Sequence, residues 1–124
     1  MNMIQKAIKT HSLSKSSEEV CGFLVNGEDG ICAVPCENSS STPEKRFEIH
    51  PETYLDVKLS NELVAIYHSH PISSPFSESD LLAAESYCLP CVLYITPDKE
   101  FDVYYPRYAE KEHINVIKEV FSND

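Results

Sequence analysis

The chain has 124 residues, of which 42% are hydrophobic and 24% charged, and this size and composition predict one compact domain over residues 1–124. Asp and Glu outnumber Lys and Arg by 20 to 10, and the resulting net charge of −10 argues against a nucleic-acid partner, because it would repel a phosphate backbone. The N-terminal sequence has no basic start followed by an apolar stretch, and no run approaches the ~18 apolar residues of a membrane span. We therefore expect a cytoplasmic protein without a membrane partner.

The cysteines are odd in number, and several lie inside apolar runs that are typical of strands. This pattern favours reduced thiols, most of them small apolar core residues, over a disulfide framework. The five residues are Cys21, Cys32, Cys36, Cys88 and Cys91.

The first part of the chain predicts a helix followed by a β-hairpin. Residues 2–14 carry apolar side chains at helical spacing, and the polar residues after them would end that helix. The runs VCGFLV (20–25) and ICAVPC (31–36) flank a turn that begins with Asn26 and Gly27, a pair that tolerates the positive φ of hairpin turns. The two runs are predicted to pair as antiparallel strands.

The middle of the chain predicts two further strands and a helix. A polar loop (37–45) leads to RFEIH (46–50), which alternates as a strand does. Pro51 stands at a favourable first position for a helix over 51–60. The run LVAIYH (63–68) is almost continuously apolar, which is typical of a buried strand.

The last part of the chain predicts a helix over 77–88, strands over 91–95 and 101–105 around the turn TPDKE, and a C-terminal helix over 110–121. No repeat, low-complexity tract or domain linker interrupts this order. The elements together predict an α+β fold with a mixed, mainly antiparallel sheet and flanking helices.

The segment HSHPISSPFSESD (68–80) contains the residues that are most typical of a metal-binding or catalytic site. His68 and His70 share one face of a strand, so both imidazoles can point at one ion. Zinc in hydrolases usually has three protein ligands and one open position for water, and Asp80 in the first turn of the next helix is the candidate third ligand. Glu19, which precedes the first strand, would be a suitable proton carrier if that strand neighbours the histidine strand.

Each of these residues also has an ordinary structural interpretation. A histidine pair at a strand end is also compatible with a polar surface. Ser77 and Asp80 stand at the S-x-x-D spacing of a helix capping box. Glu18 and Glu19 together are typical of a solvated turn. The joint occurrence of these groups in one order favours the metal site.

That order resembles the JAMM (JAB/MPN) metalloenzyme family, whose pattern is a glutamate near the first strand, then H-x-H-P, then S-x-x-D. The similarity covers roughly residues 3–106 and is to the compact JAB domains of bacteria and of phage tail assembly proteins. One difference is the loop between Pro71 and Ser77, in which ISSPF supplies five residues where the family usually has six. The residues that match the pattern are Glu19, His68, His70, Pro71, Ser77 and Asp80.

The resemblance implies a zinc metallopeptidase with the layered α-β-α arrangement also found in cytidine deaminases. It implies that His68, His70 and Asp80 bind Zn²⁺, that Glu19 is the general base, and that the Ser77 hydroxyl donates a hydrogen bond in the transition state. The implied substrate is an amide or isopeptide bond at the extended C-terminal tail of a protein, such as a ubiquitin-like or tail-assembly protein. If a phage encodes the chain, the implied location is the host cytoplasm.

Two other zinc sites are compatible with the same sequence. His50 and Glu52, followed by Cys88 and Cys91, are similar to the H-x-E and C-x-x-C parts of zinc deaminases. Against this hypothesis, Cys91 begins a β-branched and aromatic run that is typical of a strand. Thiolates also favour four-coordinate structural zinc. The ligands of such a structural site would be Cys32, Cys36, Cys88 and Cys91.

A third alternative is a binding or scaffold module without catalysis, since domains of the JAMM type also serve in larger assemblies. Such members typically lack metal ligands. The chain retains all three predicted ligands and the glutamate, which favours an enzyme.

Overall fold

The fold is known from a computed structural model, which describes residues 1–122. Within that range the helices are α1 (Met3–Ser14), α2 (Pro51–Ser60), α3 (Glu78–Tyr87) and α4 (Lys111–Val120). The strands are β1 (Cys21–Gly27), β2 (Gly30–Cys36), β3 (Glu62–His70), β4 (Cys91–Ile95) and β5 (Glu100–Tyr104).

The five strands form one sheet in the order β2-β1-β3-β4-β5. All neighbours are antiparallel except β3 and β4, which are parallel and are joined through α3, as a parallel connection requires. The predicted α+β fold with a mixed, mainly antiparallel sheet is confirmed. Because β1 and β3 are antiparallel neighbours at the centre, the start of β1 lies beside the end of β3.

Helices cover both faces of the sheet, and consecutive strand residues alternate between the two cores. Phe23 of β1 packs on the face covered by α2 and α3, whereas the next residue, Leu24, packs on the face covered by α1 and α4. Strand β3 is buried on both sides from residue 63 to residue 70, which explains its continuous apolar sequence. The histidines at its end are therefore part of the protein interior.

Gly22 allows the two central strands to approach beneath an aromatic ring. A Cβ atom at this position would meet the carbonyl oxygen of Val34 and would lie 2.5 Å from Cε2 of Tyr67. The Tyr67 ring is fully buried, and its hydroxyl shares a hydrogen bond of 2.7 Å with Nδ1 of His11. Any larger residue at position 22 would displace this packing.

The strand predicted over residues 46–50 is wrong, because this segment joins no ladder among the described residues. The alternation is real, since Phe47 packs against the core and Ile49 is buried. However, the backbone N–H of Glu48 donates to the side chain of Asn38 instead of to a neighbouring strand. Alternating burial therefore arises here in a loop that is bonded to a side chain.

All five cysteines are free thiols. Cys21, Cys36 and Cys91 are buried, as predicted, and burial raises the pKa of the Cys21 thiol to about 12. The prediction of a core position is wrong for Cys32 and Cys88, which are exposed. Among the helices that the structure describes, none combines the length and the apolar character needed to cross a membrane.

Candidate metal centre

Four ionisable side chains converge at the end of the central strands. Their ligand atoms all lie within 4.8 Å of one another, and all four residues are buried, with 5% exposure or less. Two come from the end of β3, one from the first turn of α3, and one from the residues that precede β1. The four residues, which we call the buried cluster, are Glu19, His68, His70 and Asp80.

The pairing of β1 with β3 places Glu19 at this position. Cys21 lies opposite His68, and two further hydrogen bonds of 3.0 Å extend the pairing beyond it. In these bonds the N–H of Ser69 donates to the carbonyl oxygen of Val20, and the N–H of Val20 donates to the Ser69 hydroxyl. The next residue back, Glu19, is consequently level with the last histidine of the strand.

Asp80 joins the helix cap to the histidines. The N–H of Ser77 donates to Asp80 Oδ2 at 2.9 Å, and the N–H of Asp80 donates to Ser77 Oγ at 3.1 Å, which forms the predicted capping box. The same Oδ2 atom lies 3.1 Å from Nε2 of His68 and 3.0 Å from Nε2 of His70. Asp80 thus caps the helix and also lies in a position suited to metal binding. Because Ser77 Oγ only accepts in the capping box, its own hydroxyl proton can still be donated.

The other ring nitrogen of each histidine is occupied away from the cluster. Nδ1 of His70 donates to the carbonyl oxygen of Ser74 at 2.9 Å. Nδ1 of His68 lies 3.7 Å from the buried thiol of Cys91. With Nδ1 protonated, the Nε2 lone pair of a neutral imidazole faces the cluster, which is the usual arrangement of a metal-binding histidine and its supporting partner.

Two buried polar atoms of the cluster have no hydrogen-bond partner: Oε1 of Glu19 and Nε2 of His68. The 3.1 Å contact between His68 Nε2 and Asp80 does not have the direction of a hydrogen bond. Buried atoms of this kind are costly unless a partner satisfies them. Two imidazole nitrogens and a carboxylate oxygen are ligands that suit a divalent metal ion such as zinc.

The electrostatic state of the cluster reflects burial and the mutual contacts of its members. Burial raises the pKa of Glu19 to about 7, although His70 acts in the opposite direction. Burial also favours the neutral form of Asp80, but the contacts with both histidines outweigh it and hold the pKa of Asp80 below its usual range. Burial lowers the pKa of His68, whereas the Asp80 and Ser74 bonds raise that of His70.

A cavity of about 320 Å³ opens onto this cluster. Glu19, His70 and Ser77 lie in its lining, together with exposed apolar residues of the loop before α3, among them Ile72. A larger cavity of about 690 Å³ lies between α1, β5 and α4, but its lining contains no histidine or cysteine. A third cavity, of about 380 Å³, is lined by Cys88 and by Glu62, Glu110 and His113. The cavity of about 320 Å³ is the one that opens onto the four buried ligand groups.

The residues of the two alternative zinc sites are not brought together. His50 instead caps α2, where its Nδ1 accepts the N–H of Glu52 at 3.2 Å. Cys88 ends α3 in the left-handed conformation, with φ of 56°. Within residues 1–122 one further group of potential ligands exists, and it contains no cysteine. It consists of Glu62, Glu110 and His113, and we call it the surface cluster.

Sequence reasoning missed the surface cluster and the partners of the histidines. His113 of α4 contacts Glu62 of β3 at 2.9 Å, although 51 residues separate them, and no motif relates the two positions. Ser74 contacts Nδ1 of His70 through its backbone carbonyl at 2.9 Å and through its hydroxyl at 3.1 Å, and no motif marks this position. Only the folded chain identifies such contacts.

The fold and the site define the class of protein. The sequence profile of the prokaryotic homologs of the JAB domain matches residues 2–108, and the chain belongs to this family, which includes metalloproteases. Over 102 residues the chain is 29% identical to tail tip assembly protein K of Escherichia phage N15. That match covers 82% of this chain and 42% of the phage protein, so the chain spans about two fifths of the length of that relative.

A solved structure has the same fold. The solution structure of protein DSY2949 from Desulfitobacterium hafniense matches with a TM-score of 0.61 and 20% sequence identity, over 79% of this chain and 75% of that one. At this identity the likeness concerns the fold alone.

Proposed function

We propose that the chain is a zinc-dependent metallopeptidase that hydrolyses an amide or isopeptide bond. The observation that carries the proposal is the buried cluster, in which two imidazoles and two carboxylates meet with unpartnered atoms beside an open cavity. Membership of the JAB family supports it, because metalloproteases occur in that family.

In this proposal Nε2 of His68, Nε2 of His70 and the carboxylate of Asp80 bind the zinc ion. Bound zinc supplies the Lewis acidity that polarises a carbonyl group and activates a water molecule. Glu19, whose Oε2 lies 3.7 Å from His70 Nε2, is not assigned as a fourth ligand, because three protein ligands leave the position that a water molecule needs. An open coordination position is what distinguishes catalytic from structural zinc sites.

Glu19 is the proton carrier of the proposed reaction. Its carboxylate takes a proton from the attacking water and then delivers that proton to the leaving amine. Burial favours this role, because it raises the pKa of Glu19 to about 7, close to neutral pH, where a group can both accept and donate. The Ser77 hydroxyl donates to the oxyanion that develops on the carbonyl oxygen.

The proposed substrate is the extended C-terminal tail of a protein, such as a ubiquitin-like or tail-assembly protein. The cavity is small, at about 320 Å³, and apolar loop residues together with Lys45 flank it, which suits an extended chain better than a folded surface. The edge strands β2 and β5 offer places for strand addition by such a tail. The name of the phage relative supports a role in tail tip assembly, in which case the reaction takes place in the host cytoplasm.

The competing function is a non-catalytic JAB module that takes part in assembly by binding alone. The same phage relative favours it, since its name refers to assembly and not to hydrolysis. The presence of both the ligand set and Glu19 argues for catalysis, because a scaffold has no need of a buried proton carrier.

The decisive comparison is between Glu19→Gln and Glu18→Gln, which remove the same charge at adjacent positions. Zinc-loaded parent protein is incubated with a proteome-derived peptide library, and mass spectrometry counts the new termini. We expect Glu18→Gln to cleave as the parent does, and Glu19→Gln to lose about 10²- to 10⁴-fold of the rate with zinc content unchanged. Full activity of Glu19→Gln would refute the base assignment, and a parent with neither zinc nor cleavage would establish the scaffold function.

A further inference from the structure

Asn38, just after β2, uses the whole hydrogen-bonding capacity of its side-chain amide. Nδ2 donates to the carbonyl oxygens of Glu19 at 2.9 Å and Arg46 at 3.0 Å. Oδ1 accepts the N–H groups of Ser40 and Glu48, each at 3.1 Å. An amide offers two donors and two acceptor sites, so every one is satisfied.

The backbone of Glu19 depends on this loop for both of its hydrogen bonds. Glu19 precedes β1 and is outside its ladder. Its N–H donates to the carbonyl oxygen of Pro43 at 2.8 Å, and its carbonyl oxygen accepts from Asn38. Both partners belong to residues 37–48, the segment that the Asn38 side chain organises.

We infer that Asn38 is a positioning residue for the proton carrier, an inference that rests on the proposed function. By fixing the carbonyl of Glu19 and the loop that binds its N–H, Asn38 keeps the carboxylate beside the metal position. There Oε2 lies 3.7 Å from His70 Nε2, and Glu19 lines the cavity that opens onto the cluster. The proposed metal ligands lie on β3 and α3, and none of them is a hydrogen-bond partner of Asn38.

The chemistry explains why such positioning has an effect. A proton carrier must reach the attacking water and later the leaving amine, and a misplacement of about 1 Å can cost about 100-fold in rate. Loss of Asn38 should therefore lower kcat while the affinity for zinc is preserved. A residue that only stabilised the fold would not separate these two quantities.

Two variants separate the donor function of the Asn38 side-chain amide from its acceptor function. Asn38→Asp keeps the acceptor for Ser40 and Glu48 but removes the donor to Glu19 and Arg46, while Asn38→Ala removes both. Asn61→Ala is the matched control, because Nδ2 of Asn61 also donates to a backbone carbonyl, that of Val57 at the end of α2.

The first readout uses metal-free protein and no substrate. Hydrogen exchange of the Glu19 amide is followed by NMR at equal global stability, set with urea. We expect exchange at least about 10-fold faster in Asn38→Asp and faster still in Asn38→Ala, with no change in Asn61→Ala. Unchanged protection in Asn38→Asp would overturn the inference, whether or not the protein is an enzyme.

The second readout uses zinc-loaded protein and the best peptide from the library. Asn38→Asp should lose at least about 10-fold in kcat, with zinc affinity and KM within about threefold of the parent. A parental kcat, or a zinc affinity that falls as much as kcat, would overturn the inference. Faster exchange in a protein whose parent has no hydrolytic activity would refute the peptidase and leave the structural effect of Asn38 on Glu19 intact.

Discussion

The buried cluster and the surface cluster contain the same chemical groups at similar distances but differ in environment. In both, imidazole nitrogens lie 2.9 to 3.7 Å from carboxylate oxygens. The side chains of Glu62 and Glu110 are 52% and 71% exposed, so water solvates them. In the buried cluster, Glu19 and Asp80 are only 6% and 5% exposed.

The comparison shows that distance alone does not identify a metal site. The surface cluster is a contact between an imidazole and solvent-exposed carboxylates, and exposed contacts of this kind contribute little to stability. His113 does have an unpartnered ring atom, but it is Nδ1 and not the Nε2 that contacts the carboxylates. In the buried cluster the unpartnered Nε2 of His68 is the atom that faces Asp80, and no solvent compensates it.

The largest difference in zinc affinity is expected between variants that each lose one histidine, from one cluster or from the other. His70→Ala should weaken zinc binding by more than about 100-fold, because the loss of even a supporting partner of a ligand costs about 10- to 100-fold. His113→Ala should bind zinc as the parent does. Competition with a chromophoric chelator measures both constants, and an equal loss in the two variants would remove the distinction between the clusters.

The next effect concerns the cost of burying Glu19 without metal. The pKa of Glu19 is raised from 4.5 to about 7. The folded protein favours the protonated carboxyl, so the contribution of this group to stability is present below pH 4.5 and is lost as the pH rises through about 7 and the buried group becomes charged. Glu19→Gln, which is always neutral, should therefore stabilise chelator-treated protein at pH 8.5 by about 2 kcal/mol, with solvent screening allowed for.

Urea unfolding at pH 8.5 and at pH 4.5 measures this difference, and the gain should vanish at the lower pH. Glu110→Gln of the surface cluster is the control and should show no such pH-dependent gain. A Glu19→Gln variant that is less stable than the parent at pH 8.5 would contradict the account of burial.

The pH dependence of zinc binding gives a third, smaller effect. The pKa of His70 is raised above 6.5 by Asp80 and Ser74, so a proton competes with the metal for Nε2 below that raised value. Zinc affinity should increase by about tenfold per pH unit below the pKa of His70 and level off above it. An affinity that stays constant between pH 5.5 and 8 would show that His70 is not a ligand.

The smallest effect is expected in the surface cluster. Hydrogen bonds to His113 and Asn26 lower the pKa of Glu62, but its carboxylate is solvated. Glu62→Gln should leave zinc affinity unchanged and should lower the Tm by less than Glu19→Gln raises it. Thermal unfolding of chelator-treated protein at low and high salt measures this change in Tm. A large loss of Tm that persists in high salt would show that the cluster is more than an exposed electrostatic contact.

Local sequence predicted the elements whose signals are local. The hairpin of β1 and β2 formed as predicted, but its turn did not, because Asn26 and Gly27 pair within the ladder and the positive φ lies at Gly30. Ser77 and Asp80 marked the start of α3, because cap chemistry depends on near neighbours. The strand at 46–50 failed for the complementary reason. The N–H of Glu48 donates to the side chain of Asn38, and its carbonyl oxygen accepts a single backbone bond from the N–H of Ser39, so no ladder forms. An alternating apolar pattern predicts which side chains are buried, but it does not predict which atoms form hydrogen bonds with the backbone.

The residues of the candidate site were predictable from the sequence, but the residues that position them were not. Strand spacing relates His68 to His70. The needs of a zinc site suggested Asp80 and Glu19, and the resemblance to a family pattern is their main support. The function of Asn38 depends on a loop that returns to the residue before β1, and no spacing in the sequence reveals it. Functional side chains leave a signal in residue type, while the backbone contacts that position them do not.

The metallopeptidase proposal depends on the binding of one zinc ion by the buried cluster. Anomalous diffraction at the zinc edge, on crystals of protein purified without chelator, can locate that ion. We expect one strong peak within about 2.0 to 2.2 Å of Nε2 of His68, Nε2 of His70 and a carboxylate oxygen of Asp80. A peak in the surface cluster alone, or an ordered buried cluster with no peak, would contradict it.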